Sequence, residues 1–176
     1  MQPLVDAWRA VNPNIVAFWS ALDHAARKVI REKAAVRVGR VVLYWQEGKM
    51  FLRLPSGRNL CYQSPHFTEN RFGNESIAYY APEASGRMVV QETFGGKLAE
   101  NATQAIARDI LAHALLTLEK NGYSVVTHIH DEAVIEMPTG QGSVDEACRL
   151  MAIAPSWADG LPLRADGDEM AYYRKA

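Results

Sequence analysis

The stretch Ser124-Val125-Val126-Thr127-His128-Ile129-His130-Asp131-Glu132-Ala133-Val134-Ile135-Glu136-Met137 decides the fold. Val125 to Ile129 is β-branched and apolar enough for one strand, and Ala133 to Met137 alternates with period two as a second. His130, Asp131 and Glu132 lie between them, too few residues for anything but a tight hairpin. A carboxylate at such a tip is held by paired strands yet projects beyond them, which suits accurate placement of a metal or a phosphate. Taken alone, His-Asp-Glu is also ordinary polar turn chemistry.

Upstream of the hairpin, residues 97–120 have helical period and stop at Asn121-Gly122. The expected apolar face is Leu98, Ala102, Ala105, Ile106, Ile110 and Leu116. On another side, Lys97, Asn101, Gln104 and Arg108 fall at i, i+4, i+7 and i+11. At roughly 100° per residue they occupy a band about 60° wide. Glu100 and Asp109 lie off this band, so a stripe of donors without an acid is expected, suited to phosphates and base edges.

Residues 3–33 also read as helix, interrupted at Asn12-Pro13 because the residue before proline avoids helical backbone. Leu4, Trp8 and Val11, then Ile15, Phe18, Trp19, Leu22, Ala26 and Val29, recur at helical spacing and are expected in the core. Arg27, Lys28, Arg31 and Lys33 close the other side. Between the helical parts, Val41–Trp45, Phe51–Leu54 and Leu60–Tyr62 read as a small antiparallel meander, and 77–80 and 88–91 as two more strands. His66, Arg71 and Asn74 are expected in loop, and His66 is assigned no role. Towards the end, 144–151 reads as a short helix, Trp157 as a core plug and 161–165 as a strand. The acidic run Asp166-Gly167-Asp168-Glu169 reads as a solvated turn rather than a calcium loop.

The 176 residues carry a net charge of -1 and 48% hydrophobic side chains, which excludes a disordered chain and a uniformly basic nucleic-acid binder. The charge is unevenly placed: residues 1–40 hold seven Lys/Arg against three Asp/Glu, and residues 99–176 hold six against twelve. A basic face for a polyanion and an acidic region for cations are therefore expected. Two cysteines, no leader pattern and no long apolar run point to a cytoplasmic protein without a membrane partner.

Gly95-Gly96-Lys97-Leu98-Ala99-Glu100-Asn101, continued by Gln104-Ala105-Ile106-Ala107-Arg108-Asp109 and then by strand, His130-Asp131-Glu132 and strand, resembles the C-terminal palm of family A DNA polymerases, the DNA polymerase I type, in its phage-like branch. Trp8 to Trp19 is similar to the helical segment after the nucleotide-binding fingers helix, and Leu54-Pro55-Ser56-Gly57-Arg58 to a turn beyond it. Trp157, Leu161-Pro162-Leu163 and Tyr172-Tyr173-Arg174-Lys175 are similar to that branch's chain end. The resemblance implies an α+β fold, an antiparallel palm-like sheet with a catalytic hairpin packed against long helices. It implies one palm-type domain over 1–176, with a helical segment at 1–35, a β-meander with loops at 36–96 and a palm core at 97–176.

The resemblance also assigns roles. Asp131 matches the palm aspartate that binds catalytic magnesium ions, Glu132 its acidic neighbour, and His130 a histidine near the primer terminus. Gln104 matches a minor-groove contact, Lys97 and Arg108 lie where the helix meets primer and template, and Asn101 stands beside Glu100, which occupies the family's asparagine position. Primer-template DNA, deoxynucleoside triphosphates and Mg2+ follow as partners and cofactor. The family's second catalytic aspartate has no counterpart, and its fingers helix would lie before Met1. The chain is therefore expected to supply only part of a two-metal site, to need an upstream polymerase segment or chain, and to be inactive alone. Two other readings stand beside this one: a noncatalytic DNA-binding remnant using the donor stripe, and a zinc-dependent hydrolase using His128, His130 and Asp131.

Overall fold

Six strands form in the middle of the chain because apolar residues there alternate and are separated by turn residues that accept positive φ. In the computed structural model, which describes residues 2–173, these are β1 (Val36–Val38), β2 (Val41–Gln46), β3 (Lys49–Arg53), β4 (Asn59–Glu69), β5 (Glu75–Pro82) and β6 (Met88–Thr93). They make one antiparallel sheet in sequence order. The weak 64–96 region thus extends the meander by longer strands than expected. His66 lies in β4, not in a loop, while Arg71 and Asn74 stay in the β4–β5 connection. A bulge between Gln63 and His66, with Ser64 at φ 45°, hides the period in the sequence. His66 Nδ1 donates to the Ser64 carbonyl at 3.0 Å, a structural role.

The chain divides into two compact units, Met1–Gln104 and Ala105–Ala176. The first holds the six-stranded sheet with helices α1 (Gln2–Val11) and α2 (Pro13–Glu32). Leu22, Ala25, Ala26, Val29 and Ile30 of α2 are buried, as are Leu43, Met50, Leu52 and Ile77 of the sheet. Asn12-Pro13 breaks the helix as expected. The apolar stripe before it is not core, however: α1 buries none of its residues, and Phe18 and Trp19 are only half-buried.

The basic side of α2 is neutralised. Arg27 donates from Nε to Asp23 at 2.6 Å and from Nη1 to Glu75 at 2.7 Å, and Arg31 donates to the same Glu75 oxygen at 2.7 Å. The hydrogen bond to Asp23 holds the Arg27 pKa above even the usual arginine value. Lys28 pairs with Glu32, and Lys33 lies 3.3 Å over the Trp45 ring. Four of the seven cations of residues 1–40, Arg27, Lys28, Arg31 and Lys33, are therefore engaged by acids and a ring of their own chain.

Helix α3 (Gly95–Lys120) starts in the first unit and ends in the second. Its start is fixed by close approach. A Cβ on Gly95 would overlap the Trp19 carbonyl oxygen and lie 2.8 Å from its carbonyl carbon, while the Gly95 amide donates to Asp23 Oδ1 at 3.1 Å. Leu98, Ala99, Ala102 and Ala105 are buried near the start, and Leu111, Ala114 and Leu118 near the end. At 100° per residue these two sets point roughly 160° apart. Leu116, in phase with Leu98, is 60% exposed, which corrects the single apolar face expected.

In the second unit β7 (Ser124–Ile129) and β8 (Glu132–Glu136) form a separate two-stranded sheet, so the hairpin is not a part of the larger sheet. Val125, Ala133, Ile135 and Met137 pack against Leu118, Tyr123 and Leu150, the last from α4 (Val144–Met151). The Ser143 hydroxyl caps α4, accepting from the Glu146 amide at 3.1 Å, and the Tyr123 hydroxyl donates to Glu146 at 2.8 Å. Residues 161–165 are not a strand, and Trp157 is half-buried within a short 3-10 turn, Ser156–Ala158. The mixed α+β class holds. Arg174 and Lys175 lie outside the described residues.

Candidate functional site

The hairpin closes more tightly than its sequence implied. Ile129 pairs with Glu132, so Glu132 already belongs to β8 and the turn is His130-Asp131 alone. His130 has φ 53°, in the first turn position that favours glycine. A left-handed histidine costs about 1–2 kcal/mol, a strain kept at a position glycine would relieve. Asp131 stands exposed at the tip. Glu132 is exposed too, and its Oε2 accepts a long, 3.5 Å hydrogen bond from the Tyr173 hydroxyl. Slight desolvation and then the Glu132 charge push that exposed hydroxyl's pKa up.

Because His130 has turned out of the strand, His128 and His130 do not share a strand face as a zinc site requires. His128 is cross-strand from Ala133 and accepts a hydrogen bond at Nε2 from Arg108 Nη2 at 3.3 Å. A guanidinium has no acceptor, so this contact requires the proton of a neutral His128 to sit on Nδ1. Among the described residues no group of three His, Cys, Asp or Glu side chains is arranged to hold a metal ion. The zinc reading lacks its ligand set. A two-metal centre fits only in part: Asp131 offers one carboxylate arm, and among the described residues it belongs to no group of three or more His, Cys, Asp or Glu side chains that could hold a metal ion.

The donor stripe on α3 differs from the acid-free expectation. Lys97 Nζ donates to Glu100 Oε2 at 3.1 Å, and Gln104 Nε2 donates to Glu100 Oε1 at 3.2 Å. Glu100 therefore bridges two of the four donors and cancels the one charge between them. The signal was available in the spacing, since i+3 and i+4 neighbours meet on a helix. Asn101 is half-buried and donates to the Tyr62 hydroxyl at 3.1 Å. Tyr62 is buried against the edge of Tyr79, ring centroids 5.0 Å apart. Burial pushes its pKa up to about 12, the Asn101 bond opposing and Tyr79 adding to the rise. Asn101 thus ties α3 to the sheet; Lys97, Gln104 and Arg108 are exposed. Tyr62, Glu100 and the His128 acceptor are the partners that the sequence reading missed.

Beside the start of α3, a cavity of about 520 Å³ is lined by Ile15, Phe18, Trp19 and Ala99, with Asn14 and Gln104 among its polar members. No helix among the described residues is long and apolar enough to cross a membrane.

The chain is 44% identical over 175 residues to a protein named DNA polymerase from Bacillus phage SP02. The match covers 98% of this chain and 27% of the phage protein, so the chain spans about a quarter of that relative's length. No protein-family model matches the chain. No solved structure matches it.

Proposed function

We propose that this chain is the C-terminal, palm-type portion of a family A DNA polymerase of the phage-like branch, acting in DNA synthesis together with polymerase residues outside these 176. The observation that carries this reading is the near-complete match to part of a phage DNA polymerase, running through both the α3 segment and the His-Asp-Glu hairpin. The geometry supports it: a two-residue turn presents an exposed carboxylate on a stiff support. Asp131 is the proposed metal-binding and catalytic carboxylate, with His130 and Glu132 flanking it. Lys97, Gln104 and Arg108 are the proposed primer-template contacts, and Asn101 holds α3 against Tyr62. Deoxynucleoside triphosphates would be gripped by polymerase residues outside these 176, and the cytoplasm is the proposed compartment. The magnesium requirement is carried here by one ligand only, so no catalytic step is assigned to this chain alone.

The test is primer extension with magnesium, using the chain alone and the chain mixed with the portion of the phage polymerase outside the match. No extension is expected from the chain alone, and extension is expected from the mixture. Asp131→Asn should lower that extension by roughly a hundredfold or more, while primer-template binding stays within about twofold. Extension that survives Asp131→Asn would remove the hairpin tip from the active site. DNA binding without any metal-dependent synthesis would instead favour the noncatalytic DNA-binding module.

A further inference from the structure

α1 is a ten-residue helix that buries none of its side chains. Helices this short are marginal in water unless packing supports them. Its described support is the stack of Trp8 on Trp19 of α2, ring centroids 5.8 Å apart. Leu4 and Val11 are each 76% exposed, Trp8 44% and Ile15 42%. These residues lie on the apolar stripe of α1 and the first turn of α2, and Ile15 carries the stripe into the cavity lined by Phe18, Trp19 and Ala99. Contiguous apolar surface of this kind, rather than scattered exposed residues, marks an interaction site.

We propose that this surface, from Leu4 through Trp8 and Val11 to the Ile15–Trp19 groove, docks an apolar helical face of the remainder of the polymerase. The proposal rests on the polymerase reading but does not depend on the chemistry assigned to Asp131. The choice of occupant follows from the match. The aligned 98% of this chain includes α1 and α2, yet it accounts for only 27% of the phage protein. In that polypeptide the same stretch belongs to a chain with almost three quarters of its length elsewhere, so apolar surface left open here has covering chain available there. The groove favours the same class of occupant. Its lining is mainly apolar, and its polar members, Asn14, Glu100, Thr103 and Gln104, include a carboxylate and no cation, which suits an amphipathic helix better than a nucleic-acid backbone. The nearby basic residues Arg27 and Arg31 are already paired with Asp23 and Glu75.

The experiment measures binding of the full chain to the unmatched portion of the phage polymerase, at low and high salt, for wild type, Trp8→Ala and the double variant Leu4→Ser/Val11→Ser. The wild-type chain should bind with little salt dependence, because the contact is apolar. Both variants should bind at least about tenfold more weakly, the loss expected when large apolar anchors are truncated. Leu4 and Val11 are exposed, so the double variant should leave the urea midpoint of the isolated chain and its affinity for primer-template unmoved. Trp8→Ala also removes the stack on Trp19 and is compared with the double variant at its own urea midpoint. Extension by the mixture should fall with binding and recover when the variant chain is added in excess, since the defect lies in assembly. Variants that bind like wild type would overturn the surface while leaving the polymerase reading intact, provided the mixture still extends primers. A wild-type chain that forms dimers which the variants abolish would show that a second copy is the occupant, and would also overturn it. Failure of the wild-type mixture both to associate and to extend would count against the polymerase reading itself.

Discussion

Gly95 and Gly96 open the same helix, which makes them a matched pair. Alanine has higher helix propensity than glycine, by up to about 1 kcal/mol in a helix interior and less in a first turn, so propensity alone favours both Gly95→Ala and Gly96→Ala. Packing separates them. At Gly96 the new methyl meets only the Phe94 ring, at 3.0 Å, and that ring is 60% exposed and free to swing away. At Gly95 it overlaps the Trp19 carbonyl oxygen and sits 2.8 Å from the carbonyl carbon and 3.0 Å from Asp23 Cβ. Ordinary carbon contacts begin near 3.5 Å, so backbone must shift by roughly 0.7 Å or more. Overpacking of this kind costs typically about 1–3 kcal/mol. The shift also pulls the Gly95 amide from Asp23 Oδ1, a hydrogen bond to a charged acceptor worth about 1.5–3 kcal/mol. Discounting the sum for partial relaxation and the small propensity gain leaves a loss of about 3 kcal/mol for Gly95→Ala and a change within about 0.5 kcal/mol for Gly96→Ala. With a urea slope near 2 kcal/mol per molar, the Gly95→Ala midpoint should fall by about 1.5 M. The assay is urea unfolding followed by circular dichroism. Equal midpoints for the two variants would refute the close approach of α2 and α3 at this point.

Tyr62 makes stability sensitive to alkali. Its pKa is raised from 10.0 to about 12 in the folded protein, so the folded chain holds this proton where the unfolded chain releases it. The associated stabilisation, of order 2–3 kcal/mol, is complete below pH 10 and is lost as pH rises through 12; urea midpoints across that range should fall for wild type and much less for Tyr62→Phe. Glu100→Ala should free Lys97 from its acid partner and increase the magnitude of the salt slope of primer-template binding by up to about one, and a slope that stays the same would show that Lys97 does not meet phosphate. His130→Gly should relieve the left-handed strain and leave the hairpin unchanged or up to about 1 kcal/mol more stable by thermal unfolding. A clear loss of stability there would mean that the imidazole itself supports the turn.

The hairpin was legible because its evidence is local: β-branched runs and a very short connection leave few alternatives. Its details were not. A bulge between Val125 and Thr127 shifts the register, and Glu132 joins β8, so the turn is one residue shorter than His-Asp-Glu suggests. Asp131 at the tip followed directly from sequence, whereas the Arg108–His128 contact joins residues twenty positions apart on a helix and a strand. Glu100 is the opposite case. Its contacts to Lys97 and Gln104 are local helix geometry, and an angular projection that treated it as off the stripe passed over the reach of its side chain.

Helix α3 shows why apolar periodicity cannot be read as one buried stripe. Leu98, Ala99 and Ala102 form one buried set, and Leu111, Ala114 and Leu118 form another that is out of phase with it. A projection over the whole helix mixes the two, and it selects Leu116, which is in phase with the first set but lies in the half that buries the second. The cause is physical, since the division of the chain into two units falls inside this helix, after Gln104. The period is preserved within each half but not across the break. The same reasoning applies to α1. Its stripe is regular, yet none of its residues is buried within this chain. Periodicity records that a face has apolar contact, and it carries no label for the unit or the polypeptide that supplies it. In α3 the second contact lies within the chain, and the burial of Leu118 with Tyr123 and Leu150 identifies it. In α1 the contact is the one that Trp8→Ala and Leu4→Ser/Val11→Ser are designed to find.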